Sequence, residues 1–491
     1  MRVCIVHYHL QTGGVTRVIQ HACTALLARG AKVAVLSGEA PQAALPAGTR
    51  VQVLAGLAYE ERRAAQSPDA LAAAMVQAAR EALGDLPDIW HVHNHSLGKN
   101  TAVPGTVLRL ARGGHRLLLQ PHDFAEDGRP MLYGRLRRVL ADGDIGRLSA
   151  LLYPLAPQIH YAALNRRDQD FLAAAGVPQT QLHALPNAVA VGTTPDSGSA
   201  EPAHAQQRRA AGRRLWLYPT RAIRRKNLGE LLLWAAVAGE EDHFAATQAP
   251  QNPQELPRYQ RWVALAAELG LPMAFGVGAG DRPFPALVAE SHALVTTSIA
   301  EGFGLAFLEP WLLGRPLAGR DLPEITADFT AAGVRLPALY PQLRVPLDWL
   351  DLTRLRAAYA TAATERAAAY GRPAGDAAER AWAHAVQDRR IDFGRLDEPA
   401  QETVIRHLHA DPGARAELRP RSLRVAADPD LINANRSAIA AQYSVPGYGA
   451  RLEAIYAAVA AAEPSPHFSA ADGSALLARF LAPERLWLLR S

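Results

Sequence analysis

The sequence predicts an α/β protein made of two doubly wound parallel-sheet domains. Three observations carry this. Short apolar runs recur along the chain with amphipathic, helix-length segments between them. That is the pattern of strands buried on both faces and joined by right-handed crossovers. A stretch with no apolar period, residues 191–213, separates two such alternations and reads as a linker. The length, 491 residues, suits two or three domains.

The first alternation opens on "RVCIVHY" (2–8), a strand that ends at "QTGG". A helix follows with Val15, Val18, Ile19, Ala22 and Leu26 on one face, and Gly30 stops it. Strands are expected at "KVAVLS" (32–37), "DIWHVH" (88–93), "RLLLQ" (116–120), "IHYAAL" (159–164) and "LHALP" (182–186), with helices at 69–83 and 100–112. After the linker come strands at "RLWLYP" (214–219), "MAFGVG" (273–278), "HALVTTS" (292–298) and "PLAGRD" (316–321). Helices are expected between them at 227–239, 284–291 and 304–314, and later at 353–369, 376–387 and 448–462. The domains implied are 1–195, 212–445 and a helical segment, 446–491, that returns to the first domain.

Composition narrows the function. Hydrophobic residues make up 49% and charged residues 20%, enough apolar surface for large cores and against global disorder. The net charge of +5 is small for this length, so a small phosphorylated ligand suits it as well as nucleic acid. Aromatic-interleaved basic patches, zinc ligands and a helix-turn-helix signature are all missing, so nucleic acid is not an expected partner. Cys4 and Cys23 fall on apolar faces and are too few for a disulfide framework. The start, "MRVCIVHYHL", reads as a strand and not as a signal peptide. No apolar run approaches the roughly 20 residues that span a bilayer. A cytoplasmic protein with at most peripheral membrane contact is expected.

Open α/β sheets bind ligands beyond the C-terminal ends of their strands. Two segments there carry chemistry. "SIAEGFGLAFLEPW" (298–311) sets Glu301 before Gly302, Phe303 and Gly304, with Glu309 eight residues after Glu301. Glycines at a helix start let backbone N–H groups approach an anion, and the two carboxylates can bind sugar hydroxyls. The bland alternative is a glycine turn with solvated acids. "YPTRAIRRKNLGELLL" (218–233) places Arg221 and Lys226 five apart across a turn at a strand end, with Arg224 and Arg225 expected to face solvent. Two cations can neutralise a diphosphate leaving group without a metal. A basic surface loop is the alternative.

Together these segments resemble family 4 of the retaining glycosyltransferases, whose GT-B fold is two Rossmann-like domains facing a central cleft. The resemblance runs from residue 1 to about 325 and includes "LPNAV" (185–189) and "RDLPEI" (320–325). It implies that Arg221 and Lys226 hold the donor phosphates. Glu301 would contact the donor sugar near the reacting centre, Glu309 the ribose, and the amides of Gly302, Phe303 and Gly304 sugar or phosphate oxygens. In the first domain it implies that Gly13 and Gly14 lie near the donor, and that His122, in "QPHDFAEDGRP" (120–130), faces the donor sugar beside Asp123. A capping or packing role is the alternative for His122. Two departures stand out: Pro310 follows the second glutamate, where it removes an N–H inside the expected helix, and "FAATQAPQNPQ" (244–254) replaces a glycine-rich strand end.

The reaction implied is transfer of a hexose from a UDP- or GDP-sugar to an acceptor hydroxyl with retention, and no metal or other cofactor. The acceptor is left open among small molecules, glycans and lipid-linked compounds, as is the oligomeric state. A sugar phosphorylase on the same scaffold and a catalytically silent nucleotide-sugar-binding protein are the competing readings. A dehydrogenase is disfavoured, because no G-x-G-x-x-G follows the first strand. The run "WHVHNHSLGKN" (90–100) suggests a metal site at first, since His91, His93 and His95 alternate. The strand is expected to end near His93. His91 then packs in the sheet, and His93, Asn94 and His95 become candidates for the acceptor side.

Overall fold

In the computed structural model, residues 1–60, 66–190, 213–280 and 282–490 are described. Apart from Arg213, the linker expected at 191–213 lies outside them.

Seven parallel strands form the first sheet: β1 (Arg2–His7), β2 (Lys32–Ser37), β3 (Arg50–Val53), β4 (Ile89–His93), β5 (Leu117–Gln120), β7 (Ile159–Ala163) and β8 (Leu182–Ala184). Their order is β3-β2-β1-β4-β5-β7-β8, so the chain reverses direction across the sheet between β1 and β4. β6 (Pro154–Leu155) pairs separately and antiparallel with β18 (Ser469–Ala470). Side chains alternate across the sheet. Cys4, Val6, Trp90 and Val92 join the core beneath helices Pro68–Leu83 and Ala102–Arg112. Val3, Ile5, Val33 and Val35 join the opposite core, covered by helices Gly14–Leu27 and Val445–Ala461. Those two helices approach closely at Gly449, where a Cβ would lie 2.8 Å from that of Ala25 and 2.5 Å from the Arg29 guanidinium.

Six parallel strands form the second sheet: β9 (Arg214–Arg221), β10 (Asp242–Gln248), β11 (Met273–Phe275), β12 (Ala293–Thr296), β13 (Leu317–Arg320) and β14 (Leu339–Tyr340), ordered β11-β10-β9-β12-β13-β14. Every residue of helix Leu228–Ala236 is buried. Trp216 stacks on Phe244 and meets Trp234 edge-on, so three large rings fill the space under that helix. A small antiparallel sheet, β15 (Arg344–Pro346), β16 (Val386–Gln387) and β17 (Arg390–Asp392), adjoins it in sequence.

The chain divides into two units. The first comprises Met1–Val189, Ala369–Arg372 and Ala441–Leu481; the second comprises Ala190–Ala368, Pro373–Ala440 and Ala482–Ser491. Among the described residues no helix is long and apolar enough to cross a membrane.

The structure corrects one element that matters for the site. The helix expected at 304–314 is a 3₁₀ turn, Leu305–Phe307, followed by a short helix, Glu309–Leu312. Gly304 has φ of 92°, and a Cβ there would sit 2.8 Å from the Phe307 ring, so the turn itself demands glycine. Pro310 then has no N–H to continue a ladder, and it is tolerated because it falls in the first turn of the short helix. The long helix dipole expected behind Gly302–Gly304 is therefore missing.

Candidate functional site

In the second unit the turn after β9 is braced from below. Arg224–Lys226 form a 3₁₀ turn that ends at Asn227, held in the left-handed region with φ of 54°. The Lys226 carbonyl accepts from the Tyr218 hydroxyl at 2.5 Å and from Thr297 Oγ1 at 2.8 Å. Asn227 donates to buried Glu230 at 2.7 Å and accepts from Gln401 at 3.0 Å. Glu230 lies in a network with Arg320, which is fully buried and bonded on its other side to Asp392 at 2.8 and 2.9 Å. The Lys226 backbone is thus tied to the core of the sheet.

The Lys226 ammonium donates to Glu301. Arg225 Nη1 donates to the other Glu301 oxygen at 3.0 Å and to the Ala300 carbonyl at 2.8 Å. Burial alone would raise the Glu301 carboxyl, but the Lys226 and Arg225 charges outweigh it and hold the group near 2. Burial lowers the Lys226 ammonium, while Glu301 and Glu309 pull it upward. A pair of hydrogen-bonded opposite charges with little solvent contact is the arrangement that keeps both ionised. The structure therefore gathers Glu301, Glu309, Lys226 and Arg225 at the C-terminal ends of β9 and β12.

Two expectations about this turn are corrected. Arg225 is not a free surface cation: although its side chain keeps solvent contact, it is the second cation on Glu301. Arg224 is likewise engaged, in a bidentate pair with Glu398 at 2.7 and 3.0 Å. A 3₁₀ turn rotates about 120° per residue, so neighbours fan apart and Arg224 faces away from the pair beside it. Arg221 ends β9, exposed, and among the described residues it makes no ion pair. Phe303 turns its ring inward against Phe329, 5.5 Å away, while Gly302 and Gly304 continue the loop.

In the first unit, Gly13 and Gly14 open helix Gly14–Leu27. A Cβ on Gly13 would meet nothing nearer than 3.9 Å, and one on Gly14 nothing within 4 Å, so both leave open space at the helix start. His122 is 7% exposed, and its Nε2 lies 2.7 Å from Nδ1 of His93. Asn94, with φ of 56°, accepts through Oδ1 from the backbone N–H groups of His122 and Asp123 at 2.7 and 3.1 Å. Asp123 pairs with Arg129 at 2.6 Å. Asn94 thus shapes the loop after β5 and has little surface of its own.

His95 is corrected as well. It is fully buried, and its Nε2 bonds the Leu152 carbonyl at 2.8 Å. The left-handed turn at Asn94 sends the His95 ring into the core, where an acceptor has no access. His91 lies within the sheet, between the Tyr456 hydroxyl at 2.8 Å and Gln120 Oε1 at 2.9 Å. Rings of His91, His93 and His122 stack in sequence, with centroids 4.4 and 5.0 Å apart. His91 spends both ring nitrogens on Tyr456 and Gln120, and His93 and His122 each spend one on the other, so the three do not converge on one ion. Among the described residues no group of three His, Cys, Asp or Glu is placed to hold a metal.

These histidines predict acid sensitivity. Burial pushes His7 and His122 down to about 3 and His91 and His95 down to about 4, all below the usual 6.5. A depressed folded value means that stability is present above pH 6.5 and lost as pH falls through the folded values. Each is worth on the order of 3–5 kcal/mol when fully titrated, against a total stability of roughly 5–15 kcal/mol. Glu126 acts the other way. Burial raises it to about 7, so its contribution is lost as pH rises from about 4.5 to 7. Four histidines outweigh one glutamate. The unfolding temperature is expected to fall steadily from pH 6.5 to 5, more steeply in Glu126→Gln; a flat profile over that range contradicts the argument.

No protein-family model matches the chain. It is 26% identical over 282 residues to mannosylglucosyl-3-phosphoglycerate synthase of Petrotoga mobilis, which covers 55% of this chain and 53% of that protein. The chain thus matches about half the length of this curated relative. Among solved structures, sucrose-phosphate synthase of Thermosynechococcus elongatus superposes with a TM-score of 0.52 at 15% identity, over 93% of this chain and 98% of that one. HepE of Anabaena, solved with UDP-glucose, gives 0.51 at 12% identity, over 93% and 100%. The fold is GT-B. Each GT-B unit carries one parallel sheet, and the Lys226–Glu301 pair belongs to the second.

Proposed function

We propose that this chain transfers a hexose from a UDP- or GDP-linked sugar to an acceptor hydroxyl, with retention of anomeric configuration. The observation that carries the proposal is the largely buried Lys226–Glu301 pair, joined by the more exposed Arg225 and braced at the strand ends of a GT-B unit. A donor diphosphate competes with the Glu301 carboxylate for Lys226 and Arg225, and Arg221 supplies a further cation nearby. Glu301 is then free to accept hydrogen bonds from the sugar, and Glu309 from the ribose. The bond between the anomeric carbon and the leaving phosphate oxygen breaks. The acceptor oxygen bonds to the same face, and its proton passes to the departing diphosphate. Cations fixed in advance stabilise the charge that develops there. No metal is required in this reading.

We assign acceptor recognition to the first unit, with Asp123 as its candidate; His93 is buried and acts through its contact with His122, which with Gly13 and Gly14 is assigned to the donor. The relatives' names describe a phosphoglycerate derivative and a sucrose phosphate, so phosphate-bearing acceptors stand beside glycans and lipid-linked ones. A cytoplasmic location fits such substrates.

A thermal-shift screen of nucleotide sugars in EDTA tests the donor. Ligand at a hundred times its Kd stabilises by about 2.7 kcal/mol, a clear rise in unfolding temperature. One UDP- or GDP-sugar is expected to give that rise, and product anomers read by NMR then test retention. No rise with any donor sinks the proposal.

A further inference from the structure

A cavity lies wholly within the second unit. Its volume is about 650 Å³, inside the range of roughly 300–1,000 Å³ usual for small-molecule sites. It runs along the edge strand β14 and is bounded by Arg344 of β15, Arg390 of β17 and the segment 417–425. It shares no residue with the Lys226–Glu301 cluster.

Its charge is one-sided. Arg344, Arg390, Arg419, Arg421 and Arg424 line it against a single carboxylate, Glu417. The entire chain carries a formal excess of only +5, so cationic charge is concentrated here far beyond the average of the surface. Arg390 is paired with Glu417 at 2.5 Å, and Arg344 lies 3.3 Å from the exposed Asp388. Arg419 reaches Asp242 only at 3.8 Å, and that carboxylate is already held by Arg214 and Trp216 at 2.8 Å. Arg421 and Arg424 have no carboxylate partner among the described residues.

Those two arginines share one 3₁₀ turn, Arg421–Arg424, and are three residues apart. Residues i and i+3 eclipse in a 3₁₀ turn, so both side chains leave it on the same side, and both line the cavity. The turn is anchored: Ser422 and Leu423 are buried, and the Val425 carbonyl accepts from His292 at 2.8 Å. Paired guanidiniums fit the oxygens of a phosphate in bidentate fashion. Leu343 and Leu418 give the cavity an apolar wall. The lining does not suit a nucleic-acid strand, which is bound along an extended groove with aromatic platforms. Here Tyr340 is the aromatic side chain present, and its hydroxyl is committed to Glu230 and Trp234.

We infer that this cavity binds a phosphorylated small molecule, with Arg421 and Arg424 on its phosphate and the apolar wall against its carbon skeleton. The site is separate from the proposed donor site and does not depend on the activity assigned there.

Calorimetric titration of the full chain with inorganic pyrophosphate tests it, in the wild type, in Arg421→Ala/Arg424→Ala and in Lys226→Ala. Both arginines are exposed, so the double variant is expected to keep the unfolding temperature of the wild type in anion-free buffer. Loss of one binding event in the double variant, or a Kd at least tenfold weaker, supports the site, provided that Lys226→Ala keeps that event. An unchanged isotherm in the double variant overturns it. So does a labelled single-stranded oligonucleotide that binds the wild type through these arginines and is not displaced by pyrophosphate. Failure of the donor reading appears separately, as a wild-type isotherm unaltered by Lys226→Ala.

Discussion

Lys226→Ala lowers kcat at least about a hundredfold, and Glu301→Ala does the same. Removing one preorganised charge contact to a leaving group costs about 3–4 kcal/mol in the barrier, and each 1.4 kcal/mol is about tenfold in rate. Lys226 is 9% exposed and rigidly seated, so no neighbouring side chain or water replaces it without reorganisation. Because Lys226 and Glu301 touch, their effects are coupled and the double variant loses less than the two losses multiplied together. The measurement is release of nucleotide diphosphate with saturating donor and acceptor, beside unfolding temperatures that confirm folding. Arg225→Ala is the informative companion. It leaves Lys226 in place but removes one of two cations from Glu301, so an intermediate loss is expected. Wild-type turnover in Lys226→Ala would falsify the assignment.

Arg320→Met destabilises the second unit by at least about 3–5 kcal/mol. Arg320 is fully buried and neutralises two buried carboxylates, Glu230 and Asp392. Removing one partner of such a network strands an uncompensated charge in a low-dielectric interior. Methionine keeps much of the volume, so the loss reports charge and not a cavity. The network also has little room to rearrange: a Cβ on Gly394 would sit 2.8 Å from the guanidinium. Urea unfolding at unchanged m-value measures the effect. The triple variant Arg320→Met/Glu230→Gln/Asp392→Asn removes all three charges and is expected to recover part of the stability. If the single variant unfolds within about 1 kcal/mol of wild type, the network is not what holds this region.

Much of the fold can be read from the chain because parallel strands are buried on both faces. "RVCIVH" and "KVAVLS" are apolar between their end residues and become β1 and β2 at nearly the expected bounds. β3, "RVQV", is half exposed at the sheet edge, and β10, "DHFAATQ", mixes charged, polar and small residues, so neither shows an unbroken apolar run. The site was legible to the same degree. Spacing brings Glu301, Glu309 and Lys226 forward, since strand ends and glycines mark where a ligand can approach. It does not reveal Arg225, because the direction of a side chain in a 3₁₀ turn depends on where the turn starts. It misplaces His95, read as a loop residue on the acceptor side, because the left-handed Asn94 turns the chain there and the next ring is buried against the Leu152 carbonyl. Gly304 and Pro310 were visible as breakers, yet only the packing of Phe307 and Ile325 shows that the helix divides there.

The division of the chain has a practical consequence for anyone who would take this protein apart. Its path changes unit at 189/190, 368/369, 372/373, 440/441 and 481/482. A fragment ending near residue 195 lacks Tyr448, Leu452 and Tyr456, which cover one face of the first sheet, and it leaves His91 without the Tyr456 hydroxyl. Such a fragment should aggregate when expressed alone. Exchanging either unit with that of a relative cannot be done at a single seam: the transplant must carry several non-contiguous pieces. Specificity in this scaffold is therefore better altered by point changes within the loops than by exchanging halves.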